Sequence, residues 1–226
     1  MPTAFGVLPL VLDMNAGNGN KMTAHASLLW DDQDVFLVDT GIVGQLDVIR
    51  KAMASAGFPF EKLTGVILTH QDRDHIGGLP ELLEAKSGSL KVLAHELALP
   101  YLAGEIPLVK SGATVKPPLQ VDQILQDGDE LSLAGGVIVI HTPGHTPDHI
   151  CLYHKPSRTL ISGDALIAEN GVLLPPDPQF TPAYEQALSS VAKLCDLEVD
   201  TVIAYHGGVC TELVAERLAS IAQRQD

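Results

Sequence analysis

Two histidines and two aspartates fall within six consecutive residues, His70, Asp72, Asp74 and His75, in the run THQDRDHIGG at 69–78. Carboxylates and imidazoles crowded this closely in a pocket are costly unless something neutralises them, and a bound cation is the simplest relief. The residues before the cluster, LTGVIL at 63–68, are apolar and partly β-branched, which predicts a buried strand. After it, Gly77 and Gly78 lead into a helix-like run, LPELLEAK. The cluster thus falls in the loop leaving a strand, where open α/β sheets place their ligands. Read alone, its less favoured alternative is a solvated polar loop.

Similar polar punctuation follows three more strand-like runs. His145 lies in TPGHTPDH after the run at 137–141, Asp164 in SGDAL after 159–162, and His206 in YHGG after 201–204. One such histidine is more often structural than ligating, but four clusters that each offer His or Asp from a strand end are hard to read as coincidence. Nitrogen and oxygen donors without thiolates suit zinc, iron or manganese. Asp39, in a DTG turn, is expected to support a site from behind rather than to ligate. His25 reads as a packed or edge residue, and His95 as a helix cap.

The remaining elements must position these loops. Strands are predicted at 5–14, 23–30 and 33–40 as an antiparallel meander, with an Asn/Gly turn at 15–21, and the strand at 63–68 is followed by one at 90–94. Helices are predicted at 43–56, 80–86 and 95–102. In the second half, strands are expected at 131–133, 137–141, 150–154, 159–162 and 201–204, and helices at 184–194 and 212–223. Two stretches rich in Gly and Pro, 101–122 and 168–181, lack periodicity and read as irregular excursions, the first expected to lie over the site. Each half runs from strands to helices, which suggests an α/β chain of two packed sheets with helices outside. No linker separates the halves, so residues 1–226 are expected to form a single domain.

Composition narrows the function classes. The chain has 28 acidic and 14 basic residues, a net charge of −14, and 46% hydrophobic content. That charge repels phosphate backbones and argues against nucleic acid as a partner. Three scattered cysteines, Cys151, Cys195 and Cys210, point to a reducing compartment. The first residues carry no secretory pattern and no apolar run reaches membrane-spanning length, so a cytoplasmic chain with no membrane partner is expected.

Taken together, THxxxDHIGG, TPGHT, SGDAL and YHGG, in this order, resemble the metallo-β-lactamase superfamily of metallohydrolases, along essentially the whole chain. The resemblance implies a four-layered αβ/βα sandwich with two divalent metal ions per chain. His70, Asp72 and His145 would hold the first metal, Asp74, His75 and His206 the second, and Asp164 would bridge them. His149, in the same TPDH segment, matches a family histidine that is usually not a ligand. The family pattern is HxHxDH, whereas this chain has HxDxDH, with Asp72 in place of a histidine. A carboxylate there is a harder ligand, which shifts a zinc site towards iron or manganese.

The implied activity is hydrolysis of a small ester, lactone or thioester by a metal-bridging hydroxide, with Asp74 orienting that hydroxide and passing on its proton. Arg73 is expected to point away from the metals. Leu97, Leu99, Tyr101, Leu102, Ile106 and Leu108 would suit an apolar substrate wall or equally a homodimer contact, although a Leu-rich excursion of this kind is more often core or interface than substrate pocket. Two other readings stay open: a mononuclear iron sulfur dioxygenase, and a metal-binding protein without catalysis.

Overall fold

The computed structural model describes residues 4–15 and 21–224. Most of the expected Asn/Gly turn, 16–20, lies outside the described residues. The first half runs β1 (Gly6–Asn15), β2 (Lys21–Trp30), β3 (Val35–Val38), α1 (Leu46–Ser55), β4 (Gly65–Leu68), α2 (Arg73–Ile76), α3 (Leu79–Ala85), β5 (Lys91–His95), α4 (Leu99–Leu102) and β6 (Gln123–Leu125). The second half runs β7 (Glu130–Leu131), β8 (Val137–His141), β9 (Ile150–His154), β10 (Thr159–Gly163), β11 (Ile167–Glu169), β12 (Val172–Leu174), α5 (Tyr184–Leu194), β13 (Thr201–Ala204), β14 (Gly208–Cys210) and α6 (Val214–Ala222).

Each half supplies one six-stranded sheet, in the orders β1-β2-β3-β4-β5-β6 and β14-β13-β10-β9-β8-β7. The first three strands pair antiparallel, and β3, β4, β5 and β6 run parallel. In the second sheet only β10 and β13 are parallel. An isolated bridge between Ala24 and His206 joins the two sheets at one edge.

Strand periodicity explains the layering. Successive side chains point to opposite faces, so strands buried on both sides read as unbroken apolar runs. Phe36, Val38, Ile67, Ile161 and Ile203 enter the core between the sheets. Their neighbours Leu37, Val66 and Leu68 pack with Ile49, Met53, Leu79 and Leu82 on the outer face of the first sheet. Leu160 and Val202 pack with Leu188, Val191, Leu218 and Ile221 outside the second. Helix, sheet, sheet and helix make the four-layered α/β sandwich.

Several elements differ from the sequence expectation. The excursion expected at 168–181 opens instead with the antiparallel hairpin β11–β12. Its turn is Asn170–Gly171, both at positive φ (51° and 76°), a pairing that favours two-residue hairpins. The strand expected at 131–133 is shorter, because residues 133–135 form a 3-10 turn. Strands β6 and β14, three residues each, carry too little pattern to be predicted. The helix expected at 95–102 divides into a 3-10 turn and α4. His95 caps that turn by accepting from the Leu97 N–H at 3.3 Å.

Candidate metal centre

The predicted ligands converge on one edge of the sandwich because the strands that carry them end there. β4 delivers His70, and the single turn of α2 immediately after it presents Asp74 and His75. The loops after β8, β10 and β13 deliver His145, Asp164 and His206. Two glycines allow the close approach. Gly144 (φ +136°) passes against the α5 backbone at Ala187, and Gly207 (φ +96°) passes against the Ala168 carbonyl, where any side chain would collide.

All seven residues come together in two sets whose ligand atoms lie within 4.8 Å of one another: His70, Asp72, His145 and Asp164, and beside them Asp74, His75 and His206. Asp164 faces both. Its Oδ2 lies 3.1 Å from His145 Nε2 and 3.4 Å from His206 Nε2, and its Oδ1 lies 3.3 Å from His75 Nε2. Asp72 Oδ2 lies 3.1 Å from both His70 Nε2 and His145 Nε2. Asp74 Oδ2 lies 3.3 Å from His206 Nε2.

A layer of partners fixes these rings from behind. Asp39 accepts from the Thr69 N–H at 2.8 Å and from the Thr69 hydroxyl at 2.7 Å, and it lies 2.8 Å from His75 Nδ1. His75 therefore turns Nε2 towards Asp164, the arrangement in which a carboxylate orients a ligating imidazole. His149 Nε2 accepts from the Asp164 N–H at 3.0 Å, which leaves its Nδ1 to donate to Thr142 Oγ1 at 2.8 Å. His149 thus positions Asp164 through the main chain. The Tyr205 hydroxyl donates to the Asp74 carbonyl at 2.5 Å, and its ring lies against His75.

Electrostatics follow from this crowding. Burial would push His75 down, but the carboxylates of Asp164, Asp39 and Asp74 outweigh it and hold the ring well above the ordinary imidazole range. His206 is likewise depressed by burial and raised more strongly by Asp164 and Asp74, to about 9. Burial opposes ionisation of Asp74, yet His75 and His206 bring it to about 2. Asp164 and Asp72 are also held below the carboxylate range against their burial, by the surrounding imidazoles and, at Asp72, by Lys110 as well. His149 moves the other way: burial and its neighbour His70 keep it neutral.

The residues fit divalent metal ions. Buried polar atoms normally find partners, yet His75 Nε2 and Asp164 Oδ1 face each other with no hydrogen bond, both fully buried. Ligands at about 2.0–2.2 Å from a shared ion lie roughly 3–4 Å apart, close to the observed spread. The donors are imidazole nitrogens and carboxylate oxygens, as such cations require.

A cavity of about 790 Å³ opens over the site. Its apolar wall is not the expected leucine run. Met22, Ile167, Leu174 and Phe180 line it, from β2, the β11–β12 hairpin and the loop after it. Leu102 and Leu108 are buried in the outer core of the first sheet, with Tyr101 packed against it. Those residues serve the fold, while Lys110 and Ser111 of the same excursion line the cavity. Arg73, expected to turn away, is exposed and borders the cavity mouth.

Sequence reasoning missed Lys110, which pairs with Asp72 and lies 2.6 Å from His145 Nε2. It also missed Gln71, whose buried amide accepts from the Val109 N–H at 2.8 Å and donates to Asp148 Oδ1 at 2.9 Å. The only hint was the position of Gln71, between two ligands. Among the described residues no helix is long and apolar enough to cross a membrane.

A probable metallo-hydrolase, YybB of Bacillus subtilis, is 31% identical over 188 residues, covering 83% of this chain and 82% of its own length. An atrochrysone carboxyl ACP thioesterase of Pseudocercospora fijiensis is 23% identical, over 95% of this chain and 57% of its own length. The fold is shared with a metallo-beta-lactamase family protein from Thermus thermophilus, at TM-score 0.73 and 23% identity, covering 96% of this chain and 78% of that one. Residues 20–206 match the family model of the metallo-beta-lactamase superfamily. That stretch contains every one of the seven clustered ligand candidates, and the chain belongs to the metallo-beta-lactamase superfamily.

Proposed function

We propose that the protein is a metal-dependent hydrolase of a small ester, lactone or thioester. The observation that carries this reading is Asp164 placed between two ligand sets at the floor of a largely apolar cavity. Two divalent metal ions, zinc first and iron or manganese as alternatives, would be held by His70, Asp72, His145 and Asp164 and by Asp74, His75, His206 and Asp164. When bound, such ions would supply an acidified water and polarise the substrate carbonyl.

The chain's own residues supply the rest. Asp74, a carboxylate well below neutrality, is about a quarter exposed beside His206 and opens to the cavity. It would orient the attacking water, accept its proton and return it to the leaving group. His206, equally exposed, steadies Asp74 at 3.3 Å. Met22, Ile167, Leu174 and Phe180 would exclude solvent from the acyl portion and favour an apolar or amphiphilic substrate. The thioesterase relative supports acyl transfer to water as the reaction class. A net charge of −14 disfavours nucleic acid, and three unpaired cysteines suit a reducing, cytoplasmic setting.

The test is turnover of an acyl thioester, a lactone and an activated ester by metal-replete protein, with and without chelator, under anaerobic conditions. A hydrolase works without oxygen and stops on chelation. No turnover of any of the three by metal-replete protein would overturn the reading.

A further inference from the structure

Among the described residues, a lysine ion-pairs with the first ligand set and none with the second. The Lys110 ammonium pairs with Asp72 Oδ2 and lies 2.6 Å from His145 Nε2. It thus contacts two of the four atoms of the first set that face one another as ligands. Among the described residues, no lysine or arginine ion-pairs with Asp74, His75 or His206.

The position of Lys110 is built rather than incidental. It sits in the excursion between α4 and β6, whose chain is anchored one residue earlier. There the Val109 N–H donates to Gln71 Oε1, and Gln71 is itself fully buried between His70 and Asp72 and tied to Asp148. Leu108, immediately before, is buried in the outer core, and its N–H donates to the Ala113 carbonyl at 2.8 Å. The residue that separates two candidate ligands therefore holds in place the loop that brings a cation to one of them.

We propose that Lys110 is a built-in cation of the first ligand set, making the two metal positions unequal. The set of Asp74, His75, His206 and Asp164 fills first. The set of His70, Asp72, His145 and Asp164 fills only as the Lys110 ammonium withdraws from Asp72 and His145. A dication about 2 Å from those ligand atoms cannot share the space with an ammonium already in hydrogen-bond contact with them, because like charges that close repel strongly. Binding there must also break charge-assisted contacts, which are among the stronger hydrogen bonds. Asp72, the carboxylate at a position where histidine is usual in the family, is what Lys110 neutralises. The inference rests on the proposed reading of the two sets as metal sites.

The experiment is calorimetric titration of chelator-stripped protein with zinc and, separately, manganese, with bound metal counted by mass spectrometry. The wild-type chain is expected to show two classes of site separated by at least tenfold in affinity. Lys110→Met, which keeps the aliphatic stem and loses the charge, is expected to tighten the weaker class at least tenfold. Lys110→Gln is a second variant should the first fold poorly, and Lys116→Met is the charge-loss control, expected to leave both classes unchanged. Gln71→Leu, which frees the loop, should shift the weaker class in the same direction by less. Two equal classes in the wild-type protein, or Lys110 variants with unchanged or weaker binding, would overturn the inference while leaving the hydrolase reading intact. Absence of metal binding in every protein would overturn both.

Discussion

Asp39 Oδ2 lies 2.8 Å from Nδ1 of His75 across the end of the first sheet, at the joint between β3 and the loop that carries His70. One buried carboxylate therefore fixes both the orientation of an imidazole and, through Thr69, the path of the chain leading to His70. Asp39 also holds a positive φ of 63°, a conformation that Asp tolerates better than most residues.

Asp39→Ala removes an acceptor from three donors in a dry site. It is expected to lower stability by about 1–3 kcal/mol, the usual cost of stranding buried polar groups. It should also weaken metal binding by about 10–100-fold, as loss of a ligand's supporting carboxylate does. Thermal unfolding of stripped protein and a metal titration measure the two effects separately.

Asp74 and its neighbour Arg73 make a paired test of the chemistry. Asp74→Asn keeps the size but loses the charge that would accept the water's proton. It is expected to cut hydrolysis by about 10²–10⁴ at matched metal occupancy. Arg73→Ala, exposed at the cavity lining, should cost less than tenfold on the same substrate. Near-normal turnover by Asp74→Asn with its metals bound would remove Asp74 from the mechanism.

Much of this site was legible in the sequence, for a physical reason. Strands such as β4, β10 and β13 are buried on both faces, so they read as short apolar runs, and the polar residues that end them stand out. His70, Asp164 and His206 were visible on that ground. Lys110 and Gln71 were not, because their contacts reach 35 to 38 residues or more along the chain into a stretch without periodicity. The leucines at 97–108 stayed ambiguous, since an apolar residue does not announce whether it faces a substrate, a partner or the core. The β11–β12 hairpin had a readable signal in Asn170–Gly171, obscured by the prolines that follow it.

Asp72→His exchanges a hard oxygen donor for a softer nitrogen. Competitive loading with equimolar zinc and iron should move the bound ratio towards zinc relative to the wild-type chain. Mass spectrometry of both proteins after loading reads this directly, and equal ratios would count against it. The same variant removes the partner of Lys110.

The pKa shifts give opposite pH dependences with and without metal. Asp74, lowered to about 2 from an ordinary 3.8, contributes stability that is present above about pH 4 and lost as pH falls through 2. His206, raised to about 9 from an ordinary 6.5, contributes stability that is complete below pH 6.5 and lost as pH rises through 9. Metal-free protein should therefore lose stability from this pair between pH 6.5 and 9. Metal binding needs neutral imidazoles, so the stabilisation by added zinc should grow across the same interval. Melting temperatures at pH 6, 7.5 and 9, with zinc or with chelator, should diverge as pH rises.

The central claim is that the seven clustered residues hold metal on both sides of Asp164, and anomalous diffraction from metal-soaked crystals tests it most directly. Data collected above and below the zinc edge at saturating metal should show two peaks. One should lie among His70, Asp72 and His145, the other among Asp74, His75 and His206, each within coordination distance of the Asp164 carboxylate. A map with no peak within coordination distance of Asp164 would contradict the account.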